Sequence, residues 1–367
     1  MKKGGIIVDE RISVITLSFN NLEYYEECLK SVTEQTYQNI EWILCDDGSE
    51  NFEYNEKNIK TYLKEHGGNV RNIIIHHNEK NMGVVKNYEQ AIKMATGEYI
   101  FYLAIDDMFY DNNVLSDVVK YFKETNYEIF GGYWEMFYED GRKQKQPSNS
   151  QVMLLKNESL KKVFQRFIRI PMVVGSCTPF KKELIEKYGF VDEGYKHLED
   201  WPRYLNLMKN GVKIGFIDRC LIKYRSGGIT TEIENKDLIL DYKRLLGEYM
   251  NPPYSYILNA MKEKKYIIAW GCSGGFLKYY KEWESLVDRR IDLIVDKNQE
   301  KWGSMIDGRE IFSPAKIREM DSNEIYVLVF SWVYYLEIAE ELEHMGLVEG
   351  KHFDLISREV LVWQNRI

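Results

Sequence analysis

The stretch Ser13–Asn20, SVITLSFN, is an apolar run that ends in polar residues, and it decides the fold. A second run of this kind ends at Cys45–Ser49, CDDGS, and a third ends at Ala104–Asp107, AIDD. Apolar residues at helical spacing fill the chain between these runs. Such alternation of strands and helices predicts a parallel sheet covered by helices. The carboxyl ends of parallel strands meet at one edge of the sheet, which is where ligands bind.

The acidic residues of these turns therefore lie at one predicted edge: Asp46 and Asp47 after one strand, Asp106 and Asp107 after another. Neighbouring carboxylates repel one another, so they need a cation or a proton to coexist. A divalent metal that holds a phosphorylated ligand is the simplest interpretation, because phosphates and water complete its coordination. At the first turn, an aspartate could also accept a hydrogen bond from an N–H group of a nucleotide base or from a ribose hydroxyl. Each turn has an ordinary alternative, since Asp, Gly and Ser are common in turns and helix caps.

Three further stretches each have two interpretations. Asn81–Asn87, NMGVVKN, opens a predicted helix, where free N–H groups and Lys86 suit a diphosphate or form an ordinary helix start. Glu199–Pro202, EDWP, is either a capped helix start or the position of a general base that takes a proton from an acceptor hydroxyl. Arg225 follows a predicted strand and faces phosphates or pairs with a surface acid.

The 367 residues are enough for two domains. A charged helical pattern follows about residue 231 and ends at Asn251-Pro252-Pro253, after which strands and helices alternate again. We expect a first domain over 1–230, a helical linker over 231–253 and a second domain over 254–367. In the first domain, the polar segment Lys143–Ser150 is predicted to be an exposed loop.

The second domain contains Gly271–Gly275, GCSGG, after a predicted strand, and Asp296 at the end of the next strand. This pattern is typical of a degenerate dinucleotide fingerprint. Ser273 stands where a glycine would let a pyrophosphate approach the backbone. A structural or protein-interaction role is therefore favoured over an active NAD site.

Composition narrows the classes of protein that fit. The net charge of -8 argues against a broad nucleic-acid footprint. The five cysteines have no paired or metal-binding spacing, which is typical of a reducing compartment. We find no signal-like start and no apolar run of membrane-spanning length. We expect a cytoplasmic protein; peripheral association with the inner face of the cell membrane and a homodimer stay open.

Together these blocks resemble family 2 glycosyltransferases of the GT-A fold, over roughly residues 10–230. Ser13–Asn20 resembles the family's opening strand, and Cys45–Ser49 resembles its nucleotide-binding turn. Asn81–Asn87 is similar to the stretch before the central helix, with Lys86 where an arginine is frequent, and the lead-in Gly97–Ile100 to the metal motif is similar as well. The resemblance implies an α/β fold: a GT-A domain with a mixed, mostly parallel sheet. The smaller C-terminal domain resembles the Rossmann-like domains appended to bacterial sugar-modifying enzymes.

The resemblance also implies roles for individual residues. Asp106 matches the last aspartate of the metal motif, whereas Ala104 replaces the first one, which leaves the metal affinity open. Asp200 matches the general base, with Glu199 as the alternative. Residues implied to contact the acceptor or the phosphates are Asp107, Trp201 and Arg225. Residues implied to bind the nucleotide are Thr16, Ser18, Asn20, Asp46, Asp47, Asn81, Gly83, Lys86, Asn87, Ile105 and Asp106.

The implied activity is inverting transfer of a sugar from a nucleoside-diphosphate donor, UDP-linked, with Mn²⁺ or Mg²⁺ as cofactor. The acceptor would be a hydroxyl of a glycan or lipid-linked saccharide in bacterial surface polysaccharide synthesis. A non-catalytic nucleotide-sugar sensor or scaffold is one alternative, because Ala104 interrupts the metal motif. A glycoside hydrolase is another, since it also uses two carboxylates, but it needs no nucleotide-binding turn.

Overall fold

The computed structural model describes residues 10–138, 140–191, 194–226, 236–250, 258 and 261–356. These residues form two compact units. The first comprises the described residues up to Phe164 and those from Pro171 to Ser226. The second comprises Gln165–Ile170 and the described residues from Lys236 onward.

The first unit is built on two sheets. The larger has the strand order β3-β2-β1-β4-β8; β1 to β4 are parallel to their neighbours, and β8 is antiparallel to β4. The smaller has the order β5-β9-β6-β7, in which only β6 and β9 are parallel. The strands are β1 (Ile12–Ser18), β2 (Ile40–Asp46), β3 (Val70–His77), β4 (Tyr99–Tyr102), β5 (Met108–Phe109), β6 (Phe130–Phe137), β7 (Lys143–Gln146), β8 (Phe180–Lys181) and β9 (Gly215–Arg225).

Helices follow the strands as the alternation predicts. Every residue of β1 and β2 is buried, so apolar residues occur on both faces of these central strands rather than in strict alternation. The helices of this unit are α1 (Tyr25–Thr33), α2 (Phe52–His66), α3 (Val84–Met94), α4 (Val114–Glu124), α5 (Asn149–Asn157), α6 (Leu160–Phe167), which continues into the second unit's segment, α7 (Glu183–Tyr188) and α8 (Trp201–Lys209).

The predicted exposed loop over Lys143–Ser150 is wrong. Lys143–Gln146 forms β7, which pairs with the end of β6 in an antiparallel hairpin. Ser148 caps α5 through a reciprocal pair of hydrogen bonds with Gln151. The polar sequence concealed the strand because β7 is an exposed edge, where lysines are favoured and no apolar pattern is required.

The second unit has a mostly parallel sheet with the order β12-β13-β11-β10-β14-β15, in which only β12 runs antiparallel to its neighbour. This is a Rossmann-like arrangement, in which the chain starts in the middle and winds outward in both directions. Its elements are α9 (Lys236–Tyr249), β10 (Tyr266–Trp270), α10 (Gly274–Val287), β11 (Leu293–Val295), β12 (Met305–Ile306), β13 (Arg309–Phe312), β14 (Ile325–Val329), α11 (Tyr335–His344) and β15 (Phe353–Leu355).

Of the predicted linker over 231–253, α9 fills most of the described part, while 231–235 and 251–253 lie outside the described residues. The first residues of the predicted second domain, 254–257, lie outside them as well. Across the described part of the chain, none of the helices combines the length and the apolar character needed to span a bilayer.

Candidate functional site

The ends of three parallel strands form a row at one edge of the larger sheet. Ser18, Asp46 and His77 are register partners, each the last residue of its strand. The buried Asp46 carboxylate accepts from the Ser18 hydroxyl at 2.7 Å and from the Ser49 hydroxyl at 2.6 Å, both at Oδ1. Its Oδ2 accepts from the Ser49 N–H at 2.8 Å and lies 2.7 Å from His77 Nδ1. Asp46 thus fixes this turn, and a nucleotide that uses it as an acceptor must displace one of these donors.

Asp47 is buried too, and it joins two of the predicted motifs. Its Oδ1 accepts from Asn78 Nδ2 at 3.0 Å and from the Met82 N–H at 2.9 Å. Its Oδ2 accepts from the Gly83 N–H at 2.9 Å. The same Asn78 amide donates to Asn87 Oδ1 at 2.9 Å, so the acidic turn and the start of α3 are one network.

Gly48 shows why this turn needs a glycine. Its φ of +83° is rare for residues with a side chain, and a Cβ at this position would lie 2.8 Å from the carbonyl carbon of Lys80. The close approach holds the turn after β2 against the chain that leads into α3.

The other predicted nucleotide-binding residues fall into two groups. Thr16 and Ile105 are buried, and the Thr16 hydroxyl accepts from Trp42 Nε1 at 3.0 Å, which places its side chain in the core rather than at the sheet edge. Asn20, Asn81 and Lys86 are exposed at the same edge as the acidic turn, where they can reach a ligand.

The turn after β4 carries the second pair of acids. Asp106 is partly exposed, whereas Asp107 is buried and its Oδ1 accepts from the Arg225 N–H at 3.0 Å. Among the described residues, Asp107 Oδ2 is buried without a well-formed hydrogen bond, although the Ser176 hydroxyl is close enough to oppose a rise in the pKa of Asp107. Burial, and then the charge of Asp106, raise the pKa of Asp107 well above its ordinary value. Burial also raises the pKa of Asp106, which the charge of Arg225 opposes. This pair is a negative site that its protein neighbours only partly neutralise.

Glu199 and Asp200 form the third pair of acids. Asp200 caps α8: its Oδ1 accepts from the Trp201 N–H at 2.6 Å and its Oδ2 from the Gly175 N–H at 3.0 Å. Gly175 leaves room for Glu199, because a Cβ there would lie 3.0 Å from Glu199 Oε1. Burial raises the pKa of Asp200, while the Trp201 hydrogen bond and the charge of Arg203 oppose the rise. The Trp201 side chain itself is buried in the unit.

Two tyrosines connect these last two acid pairs. Burial, followed by the charges of Glu199, Asp106 and Asp107, raises the pKa of Tyr102 well above its ordinary value. The pKa of Tyr224 is raised by burial and by all four carboxylates. Asp106, Asp107, Glu199 and Asp200 therefore lie near enough to these tyrosines for their charges to act on the two hydroxyls.

Arg225 lies at this place and bonds to protein groups. Its Nε donates to the main-chain oxygen of Asp106 at 3.2 Å, and its guanidinium pairs with Glu27. The guanidinium also lies over the rings of Tyr24 and Phe137, at 4.4 and 4.7 Å from their centroids. Its other predicted role, contact with phosphates, would compete with the Glu27 pair for the guanidinium donors.

Sequence reasoning missed Tyr102, Gly175, Arg203 and the role of Tyr224. Tyr102 and Tyr224 each stand one to four residues from a predicted site residue, but nothing in the sequence shows that β4 and β9 bring them together. Arg203 is three residues after Asp200, and its complete burial has no counterpart in the local pattern, which is amphipathic.

The Asp106 carboxylate is suited to a divalent cation. Among the described residues, it receives no side-chain hydrogen bond, and carboxylate oxygens are the ligands that Mg²⁺ and Mn²⁺ prefer. The described residues contain no group of three or more histidine, cysteine or acidic side chains arranged to hold a metal. The donor set therefore fits an ion that takes most of its ligands from a diphosphate and water.

In the second unit, Asp296 is also engaged by its own surroundings. Its Oδ2 accepts from the Cys272 N–H at 3.0 Å, lies 3.0 Å from the Cys272 thiol and pairs with Lys301 at 3.3 Å. These contacts, with burial opposing them, lower the pKa of Asp296. An aspartate held in this way has few lone pairs left for a ribose hydroxyl.

Comparison with known proteins agrees with this geometry. The family model described as Glycosyl transferase family 2 matches residues 13–189, and the model described as C-methyltransferase C-terminal domain matches residues 230–355. An uncharacterized glycosyltransferase of Rickettsia felis is 25% identical over 251 residues, which are 68% of this chain and 38% of that protein. The chain thus spans less than two thirds of that relative's length.

Two further proteins are similar over shorter or more distant alignments. The poly(ribitol-phosphate) beta-N-acetylglucosaminyltransferase TarP of Staphylococcus aureus is 31% identical over 125 residues, 34% of this chain and 36% of that protein. The crystal structure of GalNAc-T7 with UDP, GalNAc and Mn²⁺ superposes with a TM-score of 0.51 at 14% identity, over 78% of this chain and 55% of that one. This last likeness shows the GT-A fold alone. Residues 13–189 thus match glycosyltransferase family 2, and the acidic turns after β2 and β4 lie within this matched region.

Proposed function

We propose that the protein transfers a sugar, with inversion, from a UDP-linked donor to a hydroxyl of a glycan or lipid-linked saccharide. The single observation that carries the proposal is the placement of Asp106, Asp107, Glu199 and Asp200 around the buried Tyr102 and the partly buried Tyr224. Four carboxylates in one place destabilise the fold unless a ligand compensates them, which is typical of a functional site. The family 2 domain and the similarity to TarP support the choice of a nucleotide-sugar donor.

In this proposal Asp106 holds Mn²⁺ or Mg²⁺. The ion, when bound, supplies positive charge to the leaving diphosphate. Asp107 fixes the turn through the Arg225 N–H and thereby orients Asp106. Lys86, exposed near the start of α3, faces the same ligand.

Asp200 takes the proton of the acceptor hydroxyl. Two main-chain N–H groups hold its carboxylate in place, and a carboxylate has further lone pairs that can accept the proton. Its raised pKa brings it nearer to the operating pH, which strengthens it as a base. Glu199 is the alternative base, since it lies beside the same Gly175.

We place the protein in bacterial surface polysaccharide synthesis, at the cytoplasmic side of the membrane where nucleotide sugars are available. The Rossmann-like unit is assigned a docking role, to a second copy or to a partner enzyme. The self-contained network of Asp296 supports docking over a dinucleotide site.

Thermal denaturation of the full chain with UDP, GDP or CDP, each with and without Mn²⁺, tests the donor. A ligand at one hundred times its Kd stabilises the folded state by about 2.7 kcal/mol. We expect stabilisation by UDP that depends on Mn²⁺ and is lost in Asp106→Ala. Asp140→Ala, at an exposed aspartate paired with Arg142, is the control and should behave as the wild type.

Release of UDP from UDP-N-acetylglucosamine and other UDP-sugars then tests the reaction. Binding of UDP without turnover on any donor and acceptor pair would favour the sensor alternative. Failure of every nucleotide to stabilise the wild-type chain would contradict the proposal as a whole.

A further inference from the structure

A cavity of about 520 Å³ opens between the loop from α4 to β6 and the loop from α8 to β9, beside the end of α7. Its whole lining belongs to the first unit. The volume lies in the range of roughly 300 to 1,000 Å³ that is typical of small-molecule sites. The polar side chains of the lining are those of Asn126, Tyr127, Glu128, Tyr188, Asn210 and Lys213.

The strand register places this cavity far from the acidic residues of the candidate site. β6 and β9 run parallel, and Phe130 pairs with Gly215 at their amino ends, while Phe137 pairs with Arg225 at their carboxyl ends. The two cavity loops directly precede the amino ends, whereas Arg225 bonds to the main chain of Asp106. The 11 residues of β9 separate the two ends by roughly 30 Å. The cavity is therefore distinct from the candidate site.

The polar groups of the cavity both donate and accept. Among the described residues, the side chains of Asn126 and Glu128 make no hydrogen bond or ion pair. Asn210 donates through its Nδ2 to a main-chain oxygen of its own helix at 2.9 Å, which leaves its Oδ1 for a ligand. Lys213 Nζ donates to a main-chain oxygen at 3.3 Å and has further donors to offer. The lining holds one carboxylate and one ammonium, so its formal charges cancel.

Two tyrosines add partly exposed ring surface to these polar groups. The ring of Tyr127 lies against Gly215, where a Cβ would come within 2.6 Å of it, and it is parallel to the ring of Tyr121 with centroids 6.3 Å apart. The Lys187 ammonium lies 4.8 Å from the centroid of the Tyr188 ring. These contacts hold both rings at the cavity, and the absence of a side chain at Gly215 makes the room for the first of them.

We propose that this cavity is a second saccharide-binding site, which holds sugar units of a glycan away from the place of transfer. The C–H groups on one face of a sugar ring pack against an aromatic ring, and its hydroxyls donate and accept hydrogen bonds. A phosphorylated ligand fits less well, because Glu128 repels an anion and Lys213 is the single cation of the lining. The purpose, retention of a glycan between transfers, rests on the proposed function, whereas the binding itself does not.

Saturation-transfer NMR on the full chain, without nucleotide or metal, tests the proposal. The probes are maltotriose, cellotriose and N,N′,N″-triacetylchitotriose, each titrated to saturation. We expect the wild type to bind at least one of them, and we expect the double variant Asn126→Ala with Glu128→Ala to bind it at least about tenfold more weakly. Neither side chain has a partner to lose, so this variant should melt at the wild-type temperature.

Two controls locate the bound sugar. Glu124→Ala, four positions before Glu128, removes an exposed acid that pairs with Lys120 at 3.9 Å and should bind as the wild type does. Asp200→Asn changes the candidate site instead and should also keep the wild-type affinity for the trisaccharide. Lys213→Gln is a second cavity variant, which should weaken binding through a different side chain.

The inference is overturned if none of the three probes binds the wild type, or if the double variant binds with unchanged affinity. Loss of binding in Asp200→Asn alone would place the sugar at the candidate site and overturn it too. Because no nucleotide is present, these outcomes are distinct from failure of the proposed function, which the UDP experiments measure. A chain that binds a trisaccharide at this cavity but no nucleotide would uphold the inference and reject only the transferase.

Discussion

The buried ion pair of Arg169 with Asp354 tests how the second unit is built. Arg169 belongs to Gln165–Ile170, a short segment far in sequence from the rest of that unit. Its Nε donates to Asp354 Oδ1 at 2.7 Å and its Nη2 to Oδ2 at 2.8 Å. Asp354 lies on β15 with no exposed surface, so the pair is bidentate and desolvated.

Arg169→Met leaves the Asp354 carboxylate buried, and among the described residues the Leu355 N–H at 2.8 Å is then its remaining hydrogen-bond donor. Breaking a buried pair from one side costs about 3 to 5 kcal/mol, because an uncompensated charge remains. The double variant Arg169→Met with Asp354→Asn removes both charges and should be less destabilised than the single one. Since about 1.4 kcal/mol is a tenfold change, amide exchange in β14 and β15 should accelerate by roughly two to three and a half orders of magnitude.

Hydrogen exchange followed by mass spectrometry measures each unit separately, which a single melting curve of a two-unit chain does not. Peptides from β1 and β2 report the first unit within the same sample. Arg142→Met is the matched control, since Arg142 and its partner Asp140 are largely exposed, and it should cost at most about 1 kcal/mol. Exchange in β14 and β15 that stays within threefold of the wild type in Arg169→Met would refute the reasoning.

The remaining predictions concern the site and the isolated unit. Asp200→Asn should lower steady-state UDP release by about two to four orders of magnitude with donor binding little changed, whereas a larger loss in Glu199→Gln would reverse the two roles. Because the base acts when deprotonated and burial raises the pKa of Asp200, the rate should fall as pH drops through a value above that of an ordinary aspartate; a profile flat down to that ordinary value would disagree. Gly48→Ala should lower the free energy of unfolding by at least about 1 to 3 kcal/mol. The loss should be larger than in Gly141→Ala, because Gly141 also has a positive φ but faces open space. Equal losses in thermal denaturation would exclude the contact with the chain before α3. The fragment 254–367 lacks Arg169, the partner of the buried Asp354, so we expect no cooperative unfolding transition in circular dichroism, and a sharp transition would contradict this.

The sequence predicted the central strands well because they are buried on both faces. The apolar run that begins at Ser13 forms β1, and the motif turns fall at the ends of β1, β2 and β4. A short apolar run of this kind is typical of a strand that is buried on both faces, so its position in the sheet can be predicted. The hairpin strand β7 could not be predicted, because it is polar, exposed and stabilised by pairing with β6 rather than by its own pattern.

The site was predictable in its location and not in its internal contacts. Strand ends share an edge in any parallel sheet, so acidic turns after β2 and β4 had to lie near one another. Which carboxylates point inward depends on donors that other strands supply. His77 engages Asp46 from β3, and Met82 and Gly83 engage Asp47 from the chain before α3. Sequence spacing contains no information on those distances.

The two acidic turns of the first unit differ in how completely the protein satisfies them, and this difference locates the chemistry. Asp46 and Asp47 each receive donors at both oxygens, so their charge is already compensated and their burial needs no ligand. Asp107 has a buried oxygen without a well-formed hydrogen bond among the described residues, and the charge of Asp106 beside it adds repulsion. Buried polar atoms are normally satisfied, and exceptions persist where a function requires them. In the proposed function we therefore expect a cation to stabilise the fold most at the turn after β4, while the rigid turn after β2 would contact the rest of the ligand.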